Sequence, residues 1–136
     1  MILPTAKPVC IESPFRGDLK LNLQYADACM LDSLRRGEAP FLGHLLYPRV
    51  LDDTRDADRT HGIASHCAWL LLAETVIVCT DLGVSDGMLI AVQLAGDHDI
   101  PVQYRTLGRD WTEQDPRIGS TPGFHAGWNN GKVAGL

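Results

Sequence analysis

The chain is short of several things, and each shortage removes a class of function. No long apolar run is present. The longest, "CAWLLLA" at residues 67–73, is far below the roughly 20 residues a membrane-spanning helix needs. The N-terminus has no extended apolar core of the signal-peptide kind, which predicts a cytoplasmic protein with no membrane partner. Basic charge is not in excess: 12 Lys and Arg stand against 17 Asp and Glu, scattered rather than striped, so no nucleic-acid partner is expected. The four cysteines, at positions 10, 29, 67 and 79, contain no C-x-x-C pair and fit buried free thiols in a reducing compartment. Histidines 44, 61, 66, 98 and 125 have no metal-binding spacing, and His61 and His66, five apart, do not share a helical face. Neither a metal nor a cofactor is expected. No Walker loop and no G-x-G-x-x-G occurs.

What is present alternates. "PVCIES" reads as a short apolar strand ending near Glu12, followed by the turn-rich loop "SPFRGD". Leu19, Leu23, Ala26, Met30 and Leu34 fall on one face of a helix that Asp18 or Asn22 can cap and Gly37 can end. Pro40 and Pro48 bracket a second apolar piece, Phe41 to Tyr47. A second helix is expected over about 56–73, with Ile63, Cys67, Leu70 and Leu71 inward. "TVIVCT" is a continuous β-branched strand of the kind buried on both faces of a parallel sheet. Ser85 then caps a helix whose inner face carries Met88, Ala91, Val92 and Ala95, and "PVQYRTL" is the last strand. This order predicts an α/β fold, a flavodoxin-like three-layer parallel sheet over residues 1–107 with right-handed crossovers. The last 29 residues, with six glycines, two prolines and two tryptophans, lack periodicity and are expected to form an arm or lid, 108–136, that supports a homo-oligomer.

In such sheets ligands bind beyond the carboxyl ends of the strands, at the switch point in strand order. Two loops put chemistry there. In the first, Glu12 ends a strand, and Ser13, Pro14, Phe15, Arg16 and Gly17 lead into a helix whose early residue is Asn22. Arg16 can pair with phosphate and Phe15 can stack on a ring. In the second, Asp81 ends a strand, and Ser85, Asp86, Gly87 and Met88 open a helix. Each loop is equally consistent with a structural turn and a capped helix start. A third polar stretch, "RGEAPFLGHLLYPRVLDD", contributes His44, a residue type that in an apolar run is more often core than ligand.

The motifs "ESPFRGD", "HLLYP" and "TDLGVSDGM" resemble the nucleoside 2-deoxyribosyltransferase-like superfamily, and more narrowly a group of short phage and bacterial proteins placed near it. The narrower resemblance covers about residues 9–107. It implies a nucleoside or nucleotide ligand. Enzymes of the superfamily use a glutamate nucleophile four residues past the loop glycine, which falls on Ala91 here, and their companion aspartate falls on Ser85. The resemblance therefore implies binding of a nucleoside- or nucleotide-derived ligand without that nucleophile, such as sequestration of a nucleotide immune signal by a phage protein. The alternative is hydrolysis or transfer at an N-glycosidic bond with Glu12 and Asp81 as paired catalytic carboxylates.

Overall fold

A computed structural model describes residues 5–108, Trp111 and the backbone of 128–129 and 132–133. Four parallel strands form the sheet: β1 (Lys7–Glu12), β2 (Glu38–Phe41), β3 (Thr75–Cys79) and β4 (Val102–Arg105). Their order is β2-β1-β3-β4, so the switch point lies between β1 and β3. Three helices connect them: α1 (Leu19–Arg35), α2 (Asp56–Leu70) and α3 (Asp86–Asp97). This is the expected flavodoxin-like three-layer arrangement. A two-residue antiparallel pair, β5 (Trp128–Asn129) and β6 (Lys132–Val133), lies in the 108–136 segment. Apart from this backbone, Gly108 and Trp111, the expected arm falls outside the described residues.

Strand alternation divides the core in two. Val9 and Ile11 of β1 and Ile77 and Cys79 of β3 pack with Leu23, Tyr25, Ala26 and Cys29 of α1. Cys10, Val76 and Val78 face the other way, against Leu70 of α2 and Met88, Ala91 and Ala95 of α3. The register aligns the two central strands, Cys10 with Val76 and Glu12 with Val78. Trp111 joins the α1 side, its ring 5.2 Å from that of Tyr25 in an edge-on contact.

The helix ends follow local chemistry. Asp18 caps α1 through Leu21 N at 3.2 Å, and Gly37, at φ +83°, turns the chain out of it. Ser85 caps α3 by accepting from Met88 N at 3.3 Å. Two expectations need correction. The apolar piece Phe41–Tyr47, open from the sequence to a strand or a short buried segment, is not a strand: β2 lies earlier, at Glu38–Phe41, and two 3-10 turns (Gly43–Leu45 and Tyr47–Arg49) follow it. Pro48 sits in the first positions of the second turn, and the apolar character of this stretch reflects contact with α2 rather than pairing. In α2, Leu70 is buried, but Ile63 and Leu71 are exposed at 43% and 39%. The helix leans on the sheet only at its C-terminal end, since its first turns border a cavity. Among the described residues, no helix is long and apolar enough to cross a membrane.

The outer strands are tied by one ion pair. Arg105 donates to both oxygens of Glu38 at 2.6 Å, and Ser33 adds a bond to Oε1 at 2.8 Å. The paired guanidinium holds the Glu38 carboxyl below its usual range, outweighing burial. Glu38→Gln should cost about 3–5 kcal/mol, because it leaves the buried Arg105 cation unmatched. A lowered native pKa gives stability that is present above the unfolded value near 4.3 and lost as pH falls through the native one. Urea unfolding should therefore show the largest gap between wild type and variant near neutrality, shrinking below about pH 4.

Candidate functional site

Alternation along β1 sends Cys10 and Glu12 to the α2/α3 side of the sheet, two residues apart on one face. The Glu12 carboxylate is 6% exposed, and its Oε1 lies 2.5 Å from Nε2 of His66 on α2. At that separation a proton sits between them, whichever group carries it. Cys10 Sγ completes the cluster, 3.7 Å from both Glu12 Oε1 and His66 Nε2.

The His66 ring is held on two sides. Phe41 stacks on it, with centroids 5.8 Å apart and planes at 24°. Gly43 presses against its edge: a Cβ there would stand 2.2 Å from Nδ1. Only glycine fits Gly43 with the ring in this position, so the bare backbone after β2 sets the direction in which Nε2 points. His66 Nδ1 is buried without a partner.

A cavity of about 430 Å³ opens above this cluster. Its floor includes Glu12, Ser13 and His66, and its walls come from Phe15 and Arg16, the 3-10 turns, the outer turns of α2 and the start of α3. This is the size range of small-ligand sites. Ser13 Oγ and His44 Nε2 are 2.7 Å apart. Desolvation, then the neighbouring His66, lowers the His44 pKa to about 3, so His44 is neutral across the physiological range. At the rim Asp53 bridges two guanidiniums, Arg16 Nε at 3.1 Å and Arg59 at 3.5 Å.

The lining carries the carboxylates of Glu12, Asp53, Asp58 and Asp86 against the guanidiniums of Arg16 and Arg59. Four carboxylates against two guanidiniums leave an excess of two acidic groups. The walls suit ligand hydroxyls and cations better than a chain of phosphates.

Of the residues singled out from the sequence, Glu12, Ser13, Phe15, Arg16, His44, Ser85, Asp86, Gly87 and Met88 line the cavity. Pro14, Gly17, Asn22 and Asp81 do not. Gly17 takes φ +104°, and Asn22 Nδ2 donates to the carbonyls of Phe15 and Arg16 at 3.0 and 2.9 Å. Both shape the first loop from behind. Asp81 continues the odd-numbered face of β3, the α1 side, whereas Glu12 belongs to the even-numbered face. Its carboxylate accepts from Tyr25 Oη at 2.5 Å and from the N–H groups of Leu107 and Gly108 at 2.9–3.1 Å. Burial opposes its charged form, but these bonds prevail and hold its pKa below the usual carboxylate range. Asp81 fastens β3 to α1 and the segment after β4, and it is not among the residues that line the cavity with Glu12. The carboxylate of Glu12 has an imidazole for its partner.

Sequence reading missed Cys10, Gly43, Asp53, Arg59 and His66 as members of one site. Cys10-x-Glu12 was a local signal, two polar atoms on one face of a strand. The approach of α2 to β1 left no local trace.

A family model described as "Domain of unknown function (DUF7768)" matches residues 7–105. No curated protein and no solved structure matches the chain.

Gly43→Ala tests how the cluster is built. The added methyl collides with His66, so it should cost about 1–3 kcal/mol in denaturant unfolding, as overpacking does. It should also shift the His66 ring signals in NMR spectra, while Gly96→Ala, which meets nothing within 4 Å, leaves them in place.

Proposed function

We propose that this chain, which belongs to the DUF7768 family, binds a nucleoside-type ligand, a flat ring carrying a hydroxylated sugar, in the cavity over Glu12 and His66. The observation that carries the reading is the composition of the cavity wall at the β1/β3 switch point. Phe15 and Tyr47 supply aromatic surface for a ring. Glu12, Asp53, Asp58 and Asp86 supply acceptors for sugar hydroxyls. Arg16 and Arg59 leave room for one phosphate at the rim, since both also serve Asp53. A triphosphate would meet a net negative wall.

Binding without the superfamily's chemistry is favoured by Ala91. It lines the cavity, so the position that the resemblance gives to a nucleophilic glutamate presents only a methyl group. The second reading, cleavage of an N-glycosidic bond, draws support from the Glu12–His66 pair, which can pass a proton to or from a bound ligand or water. With Asp81 occupied elsewhere, Glu12 would act with His66 rather than with a second acid.

Thermal unfolding with a panel of nucleosides, monophosphates and triphosphates, coupled to chromatography of the mixtures, tests both. A nucleoside or monophosphate at 100 times its Kd should stabilise the fold by about 2.7 kcal/mol, a shift of several degrees. Triphosphates should give less, and no free base should appear. Base release abolished by Glu12→Gln would establish the cleavage reading. No shift with any member of the panel would overturn the nucleoside assignment.

A further inference from the structure

We propose that Cys10, Glu12 and His66 form a three-ligand site for a zinc-class divalent cation, with the fourth coordination position open to the cavity. The inference rests on the donor set and its geometry, and it does not depend on the ligand being a nucleoside. One thiol sulfur, one carboxylate oxygen and one imidazole nitrogen converge within 4.8 Å of one another. They come from two elements, β1 and α2, that the fold holds in fixed register.

The separations suit a small tetrahedral ion. Around zinc, with ligands at 2.0–2.3 Å, a sulfur and a nitrogen stand about 3.5 Å apart and an oxygen and a nitrogen about 3.3 Å. Cys10 Sγ is already 3.7 Å from both partners. Glu12 and His66, at 2.5 Å, are drawn together by the proton between them. An ion that displaces this proton needs them to part by only about 0.8 Å.

The donor chemistry selects the class of ion. Thiolate with imidazole and carboxylate suits zinc, cobalt or ferrous iron, while magnesium and calcium prefer all-oxygen shells. Cys10 gives up its proton on binding, as ligating thiols must. Three protein donors with an open fourth position is the pattern of zinc sites that bind water or substrate rather than of closed structural ones. The open side is set by the fold: Cys10 lies at the base, fully buried, while Glu12 and His66 face the cavity. The stack on Phe41 and the contact with Gly43 fix the imidazole before any ion arrives. The surplus of carboxylates around the opening attracts a cation.

In this site the ion would take an oxygen of the bound ligand as its fourth partner. That places metal affinity and small-ligand affinity on one centre, each raising the other.

Cobalt titration into the chelator-treated full chain, without nucleoside, is the test. One Co²⁺ per chain is expected, with intense tetrahedral d–d absorption and a thiolate-to-cobalt charge-transfer band. Cys10→Ser should remove that band and weaken binding by more than the roughly 10–100-fold of an outer-shell change. Cys29→Ser, on the opposite face of the sheet, should leave both intact. His66→Asn, checked for folding by circular dichroism, should also abolish stoichiometric uptake. Failure of the folded wild type to take up cobalt or zinc at one per chain would overturn the proposal. So would a band that survives Cys10→Ser, or the weak spectrum of six-coordinate aqueous cobalt. Metal uptake and the nucleoside-induced shift are separate readouts, so either can fail while the other stands.

Discussion

Everything at the site depends on the two-residue alternation of β1. A strand buried on both faces must send successive side chains to opposite layers. In β1 this puts Val9 and Ile11 under α1, and Cys10 and Glu12 under α2 and α3. The same rule applied to β3, in register with β1, sends Asp81 the other way. Two acids that end neighbouring strands therefore serve different layers. One fastens the α1 side through Tyr25 and the backbone after β4. The other is left within a cluster that faces a cavity. A slip of one residue in the register would exchange these roles.

The second constraint is the packing of one ring. His66 has its imidazole between the Phe41 face and the bare Gly43 backbone, so it reaches Glu12 in a fixed pose. Preorganisation of this kind costs a buried unpartnered nitrogen at Nδ1. Such a cost is borne more readily at a functional centre than in an ordinary core. Around the centre, acids outnumber guanidiniums, and Asp53 holds both arginines at the rim. These features favour a cation and a hydroxylated ligand together over a phosphate chain.

The fold was legible in the sequence because its signals are local. The β-branched "TVIVC", the Ser85 cap and Gly37 at a positive φ each act within a few residues. The boundaries of β2 were not, since "APFLGHLLYP" is apolar for reasons that lie in α2. The first loop and the start of α3 were legible as cavity walls. The centre was only half so. Glu12 stood out, but Cys10 looked like a core thiol and His66 like one helical histidine among others. What joins them is the approach of α2 to β1, a contact spanning more than fifty residues. Asp81 misled for a related reason: its strand was visible, but the face it belonged to required the register.

Calorimetric titration of a stabilising nucleoside into wild type, Glu12→Gln and Asp81→Asn separates the two layers most directly. Glu12→Gln should lose at least about tenfold in affinity, the scale of one charge-assisted hydrogen bond, while unfolding at nearly the wild-type denaturant midpoint. Asp81→Asn should unfold more easily yet, where folded, bind as the wild type does. The reverse pattern, with binding lost on Asp81→Asn and retained on Glu12→Gln, would contradict the assignment of the site to the α2/α3 face.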